Sequence, residues 1–417
     1  MERFMVTAMP FSGHVAPLAA VAAALVERGH DVRFYTGAAF QAQVEATGAR
    51  FVPWRAAPDF DEQNLAATFP RLVGKKGFSQ LMINMEDLFI STAPAQLDDV
   101  RAEWQRAPWD VLVSDEASIA PSIIAEAIGC RWATVAVLPL HLMSPAGPPP
   151  GLGLRPGRTV VGRARDAALR ALVPALSGRL KTAANRAREA VGLPAASVGF
   201  EHQVWTHDLI LASGCPALDF DLPDRPDFLH WVGRLSTPIA IPAPPWWCDL
   251  DGRRVIAVTQ GTQNVDPTDL LQPALEALAD EDAIVVATTG VRGVDPLPFA
   301  VPRNVRTASR VPFDDLFPRL DVLVTNGGWG GVLTALSHGV PLVVAGGDLD
   351  KPEVAGRVAA AGAGVNLKTG RPKPAAVRAA AAEVTAHPSY RQRARAVAAQ
   401  LAAAGDAARA AELLEAL

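Results

Sequence analysis

The stretch 320–346 restricts the fold of this chain more than any other part of it. Residues 322–324 form a short apolar run, of the kind found in strands that are buried on both faces. A glycine-rich turn at 326–331 interrupts this run, and a helical pattern over 332–338 leads to a second apolar run at 341–345. Strand, turn, helix and strand in this order predict a parallel βαβ unit.

The glycine-rich turn of this unit also predicts a ligand. Its four glycines allow a ligand to approach the backbone closely, because they carry no side chain. The helix that follows directs its unpaired N–H groups to the same point, which favours a phosphate there. The alternative interpretation is a tight turn that needs glycine only for its positive φ angles.

Polar residues follow the second strand of the unit, where Asp350, Lys351 and Glu353 come after a Gly-Gly pair. Pro352 is well placed to begin another helix. Open parallel sheets bind ligands at the carboxyl ends of their strands, so we expect these side chains beside the phosphate site. Phosphate donors next to groups that bind hydroxyls suggest a nucleotide-sugar.

Length and composition narrow the class of protein. A chain of 417 residues favours two domains over one very large core. The net charge is −4 without any basic block, which argues against nucleic-acid binding. Three scattered cysteines, no signal-peptide pattern and no apolar run near ~20 residues predict a cytoplasmic protein without a membrane span.

Strand and helix patterns alternate along both halves of the chain. Strands are predicted near 4–8, 31–35, 48–53, 109–115, 132–138 and 209–212, and again near 254–258, 283–288 and 305–308. The simplest architecture is an α/β fold of two Rossmann-like domains, each a doubly wound parallel sheet, which face a cleft.

The predicted domain boundaries follow proline content and helical pattern. Residues 1–215 form the first domain, 216–250 a proline-rich interdomain linker, and 251–395 the second domain. The final stretch, 396–417, is alanine-rich helix that is broken near Gly405. Asp406 is placed to cap its last piece.

Together, five motifs resemble the inverting nucleotide-sugar glycosyltransferases of the GT-B fold, in particular bacterial enzymes that glycosylate polyketides and other natural products. The motifs stand in the family's order, at 12–17, 258–262, 310–313, 326–331 and 350–352. The resemblance covers essentially the whole chain. It also implies that the C-terminal helix packs back across the first domain.

The resemblance implies a direct displacement at C1 of the sugar. His14 would act as general base on an acceptor hydroxyl, while Asp115 would hold its other ring nitrogen and stabilise the imidazolium. The nucleotide diphosphate would leave toward the helix N-terminus after Gly331. Such a displacement inverts the anomeric centre, and it needs no metal, no covalent intermediate and no cofactor besides the donor.

The resemblance also assigns binding residues. The predicted donor site comprises Gly261, Thr262, Arg310, Val311, Phe313, Asn326, Gly327, Gly328, Gly330, Gly331, Asp350 and Lys351. The predicted acceptor site comprises Phe11, Ser12, Gly13, Met82, Met85, Phe89 and His141. For the Met and Phe side chains near 81–93, which share a helical face with other apolar residues, core packing is the alternative interpretation.

The chain departs from the family at three donor positions. Relatives commonly have histidine where Asn326 stands, glutamine where Lys351 stands and tryptophan where Arg310 stands. Asparagine can still donate to a phosphate, and a guanidinium can stack on a base. Both UDP-glucose and a dTDP-deoxysugar therefore remain open as donors.

The sequence leaves two other functions open and disfavours two more. A nucleotide-sugar epimerase on the same fold and a non-catalytic binding relative stay open, whereas the chain lacks the motifs of dinucleotide oxidoreductases and serine hydrolases. A protein or membrane acceptor would need a basic or amphipathic docking surface, which the sequence does not indicate. We therefore predict O-glycosylation of a hydrophobic small molecule by a monomer or homodimer.

Overall fold

Strands and helices alternate along the computed structural model, which describes residues 1–75, 77–220, 222–237, 241–261, 266–290 and 297–417. The strands are β1 Arg3–Thr7, β2 Asp31–Thr36, β3 Arg50–Pro53, β4 Val111–Asp115, β5 Arg131–Ala136, β6 Leu209–Ala212, β7 Leu229–Trp231, β8 Val255–Thr259, β9 Ile284–Thr288, β10 Val305–Ala308, β11 Val322–Thr325, β12 Leu342–Val344 and β13 Gly364–Asn366.

Fifteen α-helices lie between and after these strands in the described chain. They are α1 Ser12–Glu27, α2 Gln41–Glu45, α3 Leu65–Thr68, α4 Gly77–Ile83, α5 Ala93–Arg106, α6 Ala120–Ile128, α7 Val160–Ala190, α8 Phe200–Gln203, α9 Leu271–Leu278, α10 Phe313–Leu316, α11 Trp329–Ser337, α12 Lys351–Ala361, α13 Pro374–Ala386, α14 Pro388–Ala404 and α15 Ala407–Glu415. A π-helical segment, Asn84–Ile90, connects α4 to the turn before α5.

The strands form two separate parallel sheets, with the orders β3-β2-β1-β4-β5-β6-β7 and β10-β9-β8-β11-β12-β13. The order of the first sheet reverses between β1 and β4, and that of the second between β8 and β11. This is the doubly wound topology, so the predicted α/β fold with two Rossmann-like sheets is confirmed.

Each sheet is covered on both faces, as the alternation of side chains along a strand requires. In β1, Met5 packs into one apolar cluster while Phe4 and Val6 pack into another. In β8, Ala257 and Val258 likewise face opposite clusters.

Strand β7 lies within 216–250, the stretch that is predicted to be the interdomain linker. It pairs in parallel with β6 and so extends the first sheet beyond residue 215. A three-residue strand among prolines is too short to produce a recognisable periodic pattern. The division into domains stays a prediction, but this pairing places 229–231 with the first sheet.

The C-terminal helices divide between the two sheets. Helix α14 packs in the cluster of the second sheet through Ala394, Val397 and Leu401. Helix α15 instead lies against α1 of the first sheet, where Arg28 and Glu415 form an ion pair. Asp406 accepts from the N–H groups of residues 408 and 409, as expected of its capping position.

Two helices begin earlier than the sequence pattern indicates. Helix α11 starts at Trp329 rather than at 332, so that its first turn contains Gly330 and Gly331. For α1, Pro17 in the sequence predicts the first helical turn and a loop at His14. The helix instead starts at Ser12, which places Pro17 inside it and His14 in its first turn. Tertiary contacts compensate for poor helix formers at both starts.

The π-helical segment changes which side chains share a face. A regular helix over 81–93 would place Leu81, Met85 and Leu88 together, but only Leu88 is fully buried. A π-turn inserts an extra residue per turn and shifts the register of the stripe. No helix of the described residues is both long and apolar enough to cross a membrane.

Candidate active site

His14 and Asp115 lie at the carboxyl edge of the first sheet, where its strand order reverses. His14 sits in the first turn of α1, directly after β1, and Asp115 is the last residue of β4. His14 Nδ1 is 3.2 Å from Asp115 Oδ2, although the two groups are not aligned well enough for a hydrogen bond. The topology thus brings together the two residues predicted as base and supporting acid.

Backbone donors fix the Asp115 carboxylate in place. Its Oδ2 accepts from the N–H of Met9 at 2.8 Å, and its Oδ1 accepts from the N–H of Ala117 at 2.9 Å. The side chain is almost completely buried. An orientation set by two main-chain donors is well suited to hold the adjacent imidazole.

Glu116 is a second buried carboxyl at this point, and the sequence prediction does not include it. It accepts from the N–H groups of Val137 and Leu138, at 3.0 and 2.9 Å. Burial raises its pKa to about 7, even though nearby His14 acts in the opposite direction. Its position directly after Asp115 at a strand end is the signal that would have identified it.

The charges around His14 favour its protonated form. Burial lowers the pKa of the ring, but Asp115, Glu116 and Asp350 outweigh this effect, and the net pKa is raised above the ordinary value of histidine. Asp350 belongs to the second sheet's side of the molecule, at the N-terminus of α12. A charge from the second half of the chain therefore acts on this imidazole.

Aromatic rings form one wall beside His14. The ring of Phe11 lies 5.8 Å from His14, 5.2 Å from Phe60 and 6.1 Å from Phe89, measured between centroids. Met82 and Met85 are half-buried against the same apolar cluster. The structure thus places two of the predicted acceptor residues, Phe11 and Phe89, beside the candidate base. Met82 and Met85 share only the apolar cluster, and their role toward the acceptor stays a prediction.

Ser12 and Gly13 complete this side of the site in different ways. Glu62 binds both the backbone N–H and the hydroxyl of Ser12, so this hydroxyl is already engaged. Gly13 is exposed, and a Cβ added to it would meet no other atom within 4 Å. Open space therefore lies directly in front of the first turn of α1.

A cavity of about 580 Å³ opens at the carboxyl edge of the second sheet. It lies where β8 and β11 end, at the reversal of that sheet's strand order. Lys75 and Gln80 line it from the first half of the chain. The second half contributes Gln260, Asp266, Asp269, Leu270, Asn326, Ala345, Gly347, Asp348, Lys351, Thr369, Gly370 and Arg371.

Lys351 and Asn326 are the two predicted donor residues in the walls of this cavity. Lys351 Nζ lies 2.8 Å from Asp348 Oδ1, so the ammonium group is paired. Asn326 donates to the carbonyl oxygen of Gln260, and its own Oδ1 is buried without a partner. The side chain is thus held against the end of β8, and its predicted role toward a phosphate stays a prediction.

The glycine turn leaves room for a ligand at the start of α11. A Cβ added to Gly328, Gly330 or Gly331 would meet no protein atom within 4 Å. Gly327 has a φ of 94°, so it is the position of this turn that requires glycine for its conformation. Open space therefore lies beside the first turn of α11, and the phosphate site at this helix N-terminus stays a prediction.

The remaining predicted donor residues lie apart from the cavity walls. Arg310 is exposed, Val311 is buried in the core, and Phe313 stacks on Phe317 at 4.9 Å. Gly261 has a φ of 76° and stands close to Asn326. Thr262 lies outside the described residues.

A buried ion network joins α12 to the first half of the chain. Glu353 accepts from the N–H groups of Gly151 and Gly153, at 3.1 and 2.7 Å, and from Arg357. It is therefore occupied by the loop at 144–157, and the expectation that it binds hydroxyls is wrong. Its carboxylate reaches the first half of the chain and turns away from the cavity.

Arg357 is the centre of this network, which no sequence signal indicated. Its guanidinium donates to the carbonyls of Leu140 and Leu218 and to the carboxylate of Asp219. Burial and the nearby Arg357 lower the pKa of His141 to about 4, which keeps that histidine neutral. The structure thus places His141 beside the network; its predicted role toward the acceptor stays a prediction.

Among the described residues, no group of three His, Cys, Asp or Glu side chains is arranged to hold a metal ion. The groups present can abstract a proton, bind hydroxyls and accept a charged leaving group at a helix N-terminus. These groups lie at the carboxyl edges of both sheets.

Comparisons with known proteins agree with this geometry. Residues 272–417 match the family model for the C-terminal domain of erythromycin biosynthesis protein CIII-like proteins. The 4'-demethylrebeccamycin synthase of Lentzea aerocolonigenes is 41% identical over 399 residues, with 93% of each chain covered. UDP-glucosyltransferase B1 of Starmerella bombicola is 34% identical and covers 94% of this chain and 92% of its own length.

A solved structure of the kitacinnamycin glycosyltransferase superposes on the whole molecule, with a TM-score of 0.77 at 22% identity and coverage of 99% and 98%. The two sheets and the site between them define a glycosyltransferase of the GT-B fold. The chain belongs to the family of natural-product glycosyltransferases that includes the relatives above.

Proposed function

We propose that this glycosyltransferase moves a sugar from a UDP- or dTDP-sugar to a hydroxyl of a hydrophobic small molecule, with inversion at the anomeric centre. The observation that carries the proposal is the pairing of His14 with Asp115 at the strand reversal of the first sheet. Asp350, which precedes the cavity-lining Lys351, raises the pKa of the same ring through its charge.

In this mechanism His14 takes the proton of the acceptor hydroxyl through Nε2 while the oxygen attacks C1 of the sugar. The bond between C1 and the diphosphate breaks as the new bond forms. Asp115 stabilises the imidazolium that results. The open N-terminus of α11 receives the negative charge of the leaving diphosphate.

The donor side is supported by the cavity at the second sheet, which adjoins the glycine turn. A relative that carries the name UDP-glucosyltransferase supports UDP-glucose as one candidate donor. On the acceptor side, the wall of Phe11, Phe89 and the two methionines is apolar, which favours a hydrophobic molecule over a sugar or a peptide.

Mass spectrometry of the products tests the proposal. The protein would be incubated with UDP-glucose or dTDP-sugars and planar phenolic or macrolide acceptors. We expect one glycosyl unit to be added to an acceptor, and proton NMR of the product should show the anomeric configuration inverted relative to the donor. Retained configuration would contradict the mechanism, and donor consumption that yields only an epimerised nucleotide-sugar would contradict the transferase assignment.

A further inference from the structure

Helix α7 carries a long apolar face that points to solvent. Val160, Val161, Leu172 and Leu176 are between 54% and 79% exposed, which is unusual for such residues in one element. The alanines at 164, 167, 168, 171 and 175 and the proline at 174 are exposed as well. At about 100° per residue, these positions cover roughly half of the helix circumference. We call this surface the α7 apolar face.

The charge along this face is positive. Residues 158–176 contain four arginines and one aspartate, although the whole chain has a net charge of −4. Arg163 and Arg165 stand at the two edges of the face and are exposed. The aspartate, Asp166, is buried and bound by Arg165 and the N–H of Gly157.

We propose that the α7 apolar face docks this protein on a lipid surface with anionic headgroups. An exposed apolar helix face with arginines along both edges has the pattern of helices that lie in a membrane interface. The stem of Arg163 can cover apolar surface while its guanidinium group reaches the headgroups, and Arg158 adds a second exposed charge just before the helix. The sequence pattern alone did not indicate such a surface, because alanine makes its periodicity weak.

The positive charge of the α7 apolar face favours a lipid surface over a second copy of the chain as its partner. Two copies that met through this face would bring positively charged helices together, which costs free energy. An anionic lipid surface complements the same charges and covers the apolar side chains. The face would lie on the surface rather than insert, since no described helix is suited to cross a membrane.

Helix α7 lies close to the candidate acceptor wall, so docking through it would affect how the acceptor reaches the site of the proposed glycosyl transfer. Its inner side packs on the π-helical segment Asn84–Ile90, where Arg179 pairs with Glu86. The loop before it, with Leu152 half-exposed between Gly151 and Gly153, is held by Glu353. A hydrophobic acceptor dissolved in the lipid would therefore lie close to the candidate acceptor wall.

Vesicle co-sedimentation of the full chain tests the proposal. We expect binding to mixed phosphatidylcholine–phosphatidylglycerol vesicles, weaker binding to phosphatidylcholine alone, and release by salt. The double variant Leu172→Glu/Leu176→Glu should bind the mixed vesicles about tenfold or more weakly. The matched control Ala379→Glu/Ala382→Glu, which adds the same charge to an exposed side of α13, should bind like the wild type.

Transfer to a water-soluble phenolic acceptor, measured in parallel, should not change in either double variant. Wild-type protein that stays in the supernatant with mixed vesicles would overturn the proposal, as would equal binding by the Leu172→Glu/Leu176→Glu variant. A dimer in sedimentation velocity that this variant disrupts, without vesicle binding, would assign the face to a second copy instead.

Discussion

Glu116 distinguishes this site from a simple pair of histidine and aspartate. Its carboxyl is buried next to Asp115, and its pKa of about 7 lies in the range where a catalytic histidine titrates. In the proposed mechanism His14 acts as a base only when it is deprotonated, so kcat/KM should fall as the pH drops through the pKa of His14. Because Glu116 and His14 influence each other, their protons leave as a coupled pair.

Replacing Glu116 with glutamine removes a negative charge that raises the pKa of His14. The pKa of His14 should therefore fall, and the acid limb of the kcat/KM profile should move to lower pH. Asp110→Asn is the matched control, since Asp110 pairs with Arg3 at the opposite end of β4. An acid limb that stays in place in a folded Glu116→Gln protein would show that Glu116 does not act on the base.

The sequence is sufficient to predict some residues of the candidate site but not others. His14 and Asp115 follow predicted strands, and their meeting at one sheet edge follows from parallel topology. The partners of Glu353 and Arg357 depend on how a distant loop folds against α12, which no local pattern encodes. Asn326 illustrates the same limit, because its orientation depends on the carbonyl of Gln260.

Helix α12 connects the donor cavity to the loop at 144–157. Lys351 in its first turn lines the cavity, while Gly356, one turn further on, packs against the backbone of Gly153. A Cβ on Gly153 would overlap the carbonyl of Pro352, so this contact has no room for a side chain. Loop and helix are thereby held in one arrangement.

Gly153→Ala should detach the loop from α12. Gly151→Ala is the matched control, because Gly151 also has a positive φ but has open space around its Cα. We expect Gly151→Ala to lower the free energy of unfolding by roughly 1 kcal/mol through backbone strain. Gly153→Ala should lower it by roughly 1–3 kcal/mol more, through overlap with Pro352.

Urea unfolding monitored by circular dichroism measures this difference. The acceptor KM of the folded protein should also rise in Gly153→Ala and remain near wild type in Gly151→Ala. Equal stability and equal KM in the two variants would show that the contact between the loop and α12 contributes neither to the free energy of unfolding nor to acceptor binding.

Strands and helices were predictable where the sequence contains a sustained apolar run or an apolar repeat. Strands β4 and β8 follow from such patterns. The starts of α1 and α11 were missed because Glu62 and Ser213 stabilise them from a distance: Glu62 binds Ser12, and Ser213 accepts from the indole of Trp329. The π-turn disturbed the expected helical stripe for a similar reason, since a 3.6-residue period cannot describe it.

At the scale of the whole molecule, Arg357 connects helix α12 of the second half of the chain to the first half. It is 2% exposed and binds Glu353 from its own helix and Asp219 and Leu140 from the other side. Removing one member of a buried ion network leaves the other charges unpaired. Loss of any member of this network should therefore destabilise the whole fold.

Arg357→Met should lower the free energy of unfolding by roughly 3–5 kcal/mol. Arg409→Met, which breaks an exposed ion pair with Glu412 on α15, should change it by less than about 0.5 kcal/mol. Thermal unfolding by differential scanning calorimetry compares the two. A similar melting temperature for both variants would contradict the role of Arg357.

The proposal that His14 is the base of a glycosyl transfer is tested most directly by one comparison of product formation. Wild type, His14→Ala and the control His387→Ala, whose histidine is exposed on the surface, would receive the same donor and acceptor. Calorimetric titration would verify that each protein still binds the nucleotide-sugar. We predict that His14→Ala loses about 10²-fold or more of the product formation rate, while the control keeps it. An unchanged rate in His14→Ala would contradict the mechanism.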